Sequence, residues 1–171
     1  MSLIVTLIFA AIVLSGLLDI YLERRQAACV VAHRDRVPPE FIDQLSPEEH
    51  AKAADYTLAR TRLSIRQTTF DTIMAVLWLG LLLAPLYALV ALVVPPGLTR
   101  SVALVIAFAG VGTVLNLPFA LVRTFRLEAR FGFNRMTPGM FVRDQLKGAA
   151  LQLLLGVPLL YGLFALPKPE K

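Results

Sequence analysis

Polar and apolar residues are not interleaved along this chain. They are sorted into long uninterrupted apolar runs separated by charged segments. A bilayer core about 30 Å thick is crossed by roughly 20 helical residues at about 1.5 Å rise each. Four runs meet that length, at about residues 3–20, 72–94, 101–122 and 149–166. They predict an all-α, polytopic transmembrane protein of four membrane helices in a single membrane domain, 1–171, with polar loops over 21–71 and 123–148. The second and third runs are joined only by Pro95-Pro96-Gly97 and a few further residues, so they read as a hairpin. The first run lacks the basic n-region of a secretory signal, and it is read as a retained helix. Ala27-Ala28-Cys29 has the look of a lipoprotein cleavage box. It follows Glu23, Arg24, Arg25 and Gln26 rather than an apolar core, so Cys29 reads as an ordinary interfacial thiol.

Within the first polar segment the pattern turns periodic. Ser46-Pro47-Glu48-Glu49 spells a helix start, with Ser46 as cap, Pro47 at the first helical position and Glu49 closing a capping box. From there Tyr56, Ala59, Leu63 and Phe70 recur near one face, with Arg60, Arg62 and Arg66 elsewhere. No breaker lies between Pro47 and the second span, which predicts one long cytoplasmic helix leading into the membrane, kinked at Pro85.

Composition sharpens this picture. The chain is 57% hydrophobic and only 17% charged, with a mean hydropathy of +0.67. Its net charge of +5 does not indicate nucleic acid, because the basic residues sit at the ends of apolar runs. Eight fall in the first polar segment (Arg24, Arg25, Arg34, Arg36, Lys52, Arg60, Arg62 and Arg66), and six in the second (Arg123, Arg126, Arg130, Arg135, Arg143 and Lys147). The opposite side holds Arg100, Lys168 and Lys171. Fourteen against three predicts cytoplasmic loops and outer termini.

Candidate chemistry is sparse. A zinc hydrolase needs two imidazoles one helical turn apart around a carboxylate, as in H-E-x-x-H. Glu49-His50 has no second histidine downstream, and His33 lies in a different local setting. No G-x-S-x-G or phosphate-binding glycine loop is present; Gly110 and Gly112 fall inside a span, where small residues favour close helix packing. Asp19 and Asp71 read as interfacial acids at span ends. Asn116-Leu117-Pro118 is more telling, because an amide and a helix breaker inside a span must be satisfied by neighbouring helices or water. Asn116 and Pro118 therefore mark a kinked helix facing protein or a cavity. No catalytic residue and no metal ligand is assigned.

The stretch "LPFALVRTFRLEARFGFNRMTPGMFVRDQLKG" resembles the N-terminal membrane region of the CAAX prenyl protease type 1 family, the Ste24-like zinc metallopeptidases. In that family an Asp-Leu-Pro element ends the third span, followed by a Tyr-Arg-Thr-Phe-like tract and a Glu-Glu-Arg/Lys-x-Gly-Phe-Asn signature. "AHRDRVPPEF" and "HAKAADYTLARTRL" resemble the family's approach to its second span. Here Asn116 replaces the usual Asp, and Ala129 replaces the second Glu.

The resemblance implies a noncatalytic N-terminal transmembrane domain, forming part of an intramembrane chamber and supporting a catalytic half that lies outside this sequence. Zinc is then expected in that half and no cofactor in this chain. The implied partners are the lipid bilayer, the catalytic half in cis or in trans, and a prenylated or membrane peptide substrate. The implied contact residues are Glu128, Arg130, Phe131, Gly132, Phe133 and Asn134. Either a bacterial inner membrane or an internal eukaryotic membrane fits. The alternative is a standalone membrane scaffold or regulatory module acting with a separately encoded partner.

Overall fold

The computed structural model describes residues 3–41 and 45–165. The end of the fourth predicted span at Leu166, and Lys168 and Lys171 of the charge tally, lie outside the described residues. Among the described residues the elements are helical throughout. Helix α1 is Leu3–Ala32, and a single 3-10 turn occupies Pro39–Phe41. Helix α2 (Pro47–Leu77) passes through a π turn at Trp78–Leu82 into α3 (Leu83–Val93). Helix α4 (Leu98–Val122) passes through a second π turn at Arg123–Glu128 into the short α5 (Ala129–Phe131). Helix α6 is Pro138–Ala165. Four stretches are long and apolar enough to cross a membrane: Leu3–Ala32, Pro47–Val93, Leu98–Phe131 and Pro138–Ala165.

The helices outrun the apolar runs. At about 1.5 Å per residue, the 30 residues of α1 make roughly 45 Å, half as long again as the hydrocarbon core. The start of α2 is built as its sequence predicts. Glu49 N donates to Ser46 Oγ at 3.2 Å, Ser46 N donates to Glu49 Oε2 at 3.0 Å, and Pro47 fills the first position. Helicity then persists to Val93 through Pro85. Proline lacks an N–H and crowds the carbonyl four residues back, here Leu81, and the wider π turn at Trp78–Leu82 falls where that ladder is perturbed. Pro118 likewise lies inside α4, with the second π turn five residues on.

The chain divides into two compact units, Met1–Gly80 with Phe119–Asn134, and Leu81–Pro118 with Arg135–Lys171. In the first unit, α1 and α2 pack antiparallel. Their register is marked by Phe9 against Gly80, Gly16 against Thr72, Glu23 with Ser64, and Arg34 with Asp55. Gly16 is the buried residue of α1, and a Cβ there would collide with the Thr72 side chain. The helices approach closely because this position is glycine. The Ser64 hydroxyl donates to Glu23 Oε1, while Glu23 Oε2 is buried without a hydrogen-bond partner among the described residues. The core of this unit is Leu63, Leu127 and Phe131, with Tyr56, Ala59 and Phe119 packed on it. The apolar face read from Tyr56, Ala59 and Leu63 is the face that packs, and Phe70 meets Phe119 at 5.3 Å between ring centroids.

The second unit presents mostly apolar surface. Val90 of α3 and Val102 of α4 are buried. Leu151, Leu154, Leu155 and Leu159 of α6 are exposed. The α3–α4 turn carries Gly97 at φ 131°, a backbone angle reserved for glycine. Arg100 Nε donates to Val94 O at 2.9 Å across that turn.

Candidate functional site

The segment Glu128–Asn134 is a helix stop with a fixed shape. Gly132 adopts the left-handed conformation at φ 81°, ψ 14°. Its N–H donates to Ala129 O at 3.2 Å, and Phe133 N donates to Glu128 O at 2.9 Å. That pair of bonds is a Schellman closure. It consumes carbonyls that would otherwise be orphaned at the end of the helix. A side chain at 132 would have to enter the disfavoured left-handed region, so glycine is required there for backbone reasons. Asn134 N adds a further bond to Glu128 O at 3.2 Å, so Glu128 contributes its backbone to the turn.

The closure aims two phenyl rings at one tyrosine. Phe131 and Phe133 meet Tyr56 edge-on, at centroid distances of 5.3 and 5.0 Å and interplanar angles of 78° and 83°. Phe131 is the anchor at 7% exposure, whereas Phe133 remains 59% exposed. Lys52 Nζ lies 6.0 Å from the Phe133 ring centroid, and the Arg130 guanidinium 5.6 Å from that of Phe131. Cations over aromatic faces at this range are held weakly at exposed sites. Upstream, Arg123 Nη2 donates to Gln67 Oε1 at 2.8 Å, tying the π turn to α2.

One further link fixes α2 near this segment. Arg34 grips Asp55 with two parallel bonds, Nε to Oδ1 at 2.8 Å and Nη2 to Oδ2 at 2.9 Å, and also contacts Asp35 at 2.9 Å. The hydrogen bonds from Arg34 hold the Asp55 carboxyl below its ordinary range, partly offset by desolvation, and the charges of Arg34 and Arg130 add to the same direction. The bonds to Asp55 raise the Arg34 guanidinium further above its ordinary value. Both side chains are partly exposed, so solvent screens the ion pair and it steers geometry more than it stabilises. Burial carries the energy: each buried Leu or Phe contributes roughly 1.5–3 kcal/mol.

The sequence-predicted site residues therefore divide. Glu128, Arg130, Phe131, Gly132, Phe133 and Asn134 come together in one turn on Tyr56. Asn116 and Pro118 sit apart from them on α4, where Asn116 Nδ2 donates to Gly112 O of its own helix at 3.2 Å. Tyr56 and the Arg34–Asp55 pair were not singled out by sequence as site residues. The periodic face signals Tyr56, but nothing local signals a pairing 21 residues apart. His33 and His50 do approach, through His50 Nε2 and His33 O at 3.0 Å, while His33 Nδ1 turns to Cys29 O at 2.8 Å. Among the described residues no group of three His, Cys, Asp or Glu side chains is placed to hold a metal ion.

The family described as CAAX prenyl protease N-terminal, with five membrane helices, matches residues 26–168. This chain belongs to that family. Similar proteins include the CAAX prenyl protease 1 homolog of Arabidopsis thaliana, 30% identical over 151 residues that cover 82% of this chain and 35% of the relative. CAAX prenyl protease 1 of Saccharomyces cerevisiae is 26% identical over 137 residues, covering 74% of this chain and 30% of the relative. The crystal structure of S. mikatae Ste24p superposes with a TM-score of 0.85 at 21% identity, over 94% of this chain and 39% of that one. The fold is thus shared with the matched part of Ste24p. The chain spans about a third of the length of these curated relatives. Where the family is described with five membrane helices, the described residues here hold four that are long and apolar enough to cross a bilayer.

Proposed function

We propose that this chain is the noncatalytic N-terminal transmembrane domain of a Ste24-like CAAX prenyl zinc metalloendopeptidase. It forms part of the intramembrane chamber and supports a catalytic half, supplied in cis or in trans, that carries the zinc and its ligands. The supporting observation is the turn of Phe131, Gly132 and Phe133 closed onto Tyr56. It gives the signature segment a rigid backbone, one buried aromatic anchor with Arg130 over its ring, and one exposed ring beside Lys52. A rigid turn presenting an aromatic edge beside two cations suits contact with a second protein part, or with the carboxylate end of a prenylated peptide. Glu128 acts through its backbone, and Asn134 extends the same turn. Asn116 and Ala129 stand where the resemblance places acids, so any basic partner of those acids is held less strongly in this protein.

The large polar segments face the cytoplasm and both termini lie outside, following the excess of arginine and lysine. Cys29 reports this directly, as the one cysteine in the sequence and an exposed one. A membrane-impermeant maleimide should leave it unmodified in intact cells and label it after permeabilisation. Labelling of intact cells would reverse the assignment. The purified chain should leave farnesylated CAAX peptides uncleaved with or without added zinc. Chelator-sensitive cleavage by this chain alone would overturn the noncatalytic role.

A further inference from the structure

The pairings of the first unit bring three polar stretches, far apart in sequence, to one height. The Ser64 bond to Glu23 sets residues 21–25 of α1 beside residues 64–67 of α2. The Arg123 bond to Gln67 sets residues 123–126 of the π turn beside the same part of α2, and Leu127 packs on Leu63 just beyond. These stretches hold Arg24, Arg25, Arg66, Arg123 and Arg126 against a single acid, Glu23. All five arginines are exposed, whereas Glu23 turns inward to Ser64 with its second oxygen buried.

No acid in the chain is spent on these cations. Asp19, Asp71 and Glu128 flank the three stretches, yet among the described residues none of the five arginines forms an ion pair. Arg34, beyond the end of α1, is paired with both Asp35 and Asp55. Ion pairing is thus found away from the apolar runs and not beside them. Arg24 and Arg25 lie four and five residues past Ile20, Arg66 six before Thr72, and Arg123 and Arg126 one and four past Val122, where the apolar runs end. At about 1.5 Å per residue these positions stand roughly 2–9 Å outside the hydrocarbon. The lipid headgroups fill about the first 5–7 Å of that space.

Direction selects the partner. Arg66 lies two residues from Ser64, about 200° round α2, so it leaves that helix on the side away from α1. Arg25 lies two residues from Glu23 and by the same rule leaves α1 on the side away from α2. A protein docked on one side would meet one of these cations and miss the other. Lipid headgroups surround the unit and meet both. A guanidinium fork matches the oxygens of a phosphodiester. In choline lipids the ammonium cancels the phosphate charge, so a collar of cations without ion pairs favours lipids of net negative charge.

We propose that this collar binds the headgroups of acidic phospholipids around the first unit. The collar is independent of the proposed role in proteolysis and of which face of the membrane it lies on.

Electron spin resonance of the full chain in phosphatidylcholine bilayers tests this, with chain-labelled phosphatidylglycerol and phosphatidylcholine as probes. The motionally restricted fraction of each probe gives their relative association with the protein. Phosphatidylglycerol should be preferred about fivefold at low salt, the effect of one cation near an acidic surface. In about 1 M NaCl the preference should shrink below twofold. That salt response reads the charge contact without any substitution, and a preference indifferent to salt would overturn the proposal. The triple variant Arg24→Gln, Arg25→Gln, Arg66→Gln should lose most of the preference at an unchanged melting temperature, because none of the three is ion-paired. A preference unmoved in that variant would also overturn it. Inorganic phosphate replacing chloride at equal ionic strength should change nothing; selective displacement of the labelled lipid would show a free-anion site instead. A wild type without any preference would leave the arginines to an acidic protein or nucleic acid, and the lipid collar would fall.

Discussion

The two units of this protein are built on opposite rules. The first is knitted by side chains that specify their neighbours: Gly16 under Thr72, Ser64 on Glu23, Arg34 on Asp55, and Tyr56 between Phe131 and Phe133. The second has few such devices beyond Arg100 on its turn, and exposes leucine after leucine along α6. The first unit also extends past its apolar runs into polar segments, whereas the second consists mostly of apolar run. Outside the bilayer, burying apolar surface rewards association, so a core forms around Leu63, Leu127 and Phe131. Within it, lipid tails are as apolar as leucine, and association needs close packing or polar links. Helices without either are free to leave a furrow between them.

Substitutions can break that contrast. The largest effect is expected at the buried anchor: Phe131→Ala should cost about 3 kcal/mol through the cavity it leaves, read from thermal or denaturant unfolding of the detergent-solubilised chain. Gly16→Leu comes next. It forces α1 off α2 at Thr72 and should cost roughly 1–3 kcal/mol by overpacking. Gly156→Leu, the same change in the second unit, meets open space and should be neutral or slightly stabilising, since leucine is the better helix former. Equal losses at the two glycines would erase the distinction between the units. Tyr56→Leu keeps bulk but removes two edge-on ring contacts, each worth about 0.5–1.5 kcal/mol. It should speed amide exchange at Phe133 and Asn134 while leaving α6 unchanged.

The smallest effect is acidic. Asp55 and Glu49 both lie outside the membrane spans and are both held below their ordinary values. Asp55 is held chiefly by Arg34, and Glu49 by the Ser46 backbone and hydroxyl. A depressed carboxyl stabilises the fold fully above its unfolded pKa, near 4, and loses that contribution as pH falls through the folded value. Helicity at the start of α2 should therefore hold level from neutrality down to about pH 5 and decline below pH 4. A decline already under way well above pH 5 would contradict this assignment.

Much of the first unit could be read in one dimension, because its signals are local. Ser46 to Glu49 closes a capping box across one turn, and Tyr56, Ala59 and Leu63 repeat at helical spacing. The apolar runs likewise announced four spans, since hydropathy measures solubility in lipid directly. It does not measure backbone order, so helix over Tyr21–Ala32 and Arg123–Phe131 lay beyond its reach: those stretches carry charges yet are helical. Gly132 stood out as part of a signature, but its left-handed angle is settled by where the helix must stop. The Arg34–Asp55 and Arg123–Gln67 links join residues 21 and 56 apart and leave no trace in spacing. The cavity between α4 and α6 was equally hidden, because its lining comes from two helices far apart in sequence.

The most direct test of the proposed role is reconstitution in a host lacking its own CAAX prenyl protease. This chain would be co-expressed with the catalytic remainder of a family relative, and cleavage of a farnesylated CAAX peptide measured in isolated membranes. Zinc-dependent cleavage should require both parts, fall steeply with Phe131→Ala, and survive Gly156→Leu. Cleavage by the catalytic remainder at the same rate without this chain would contradict a supporting role for it.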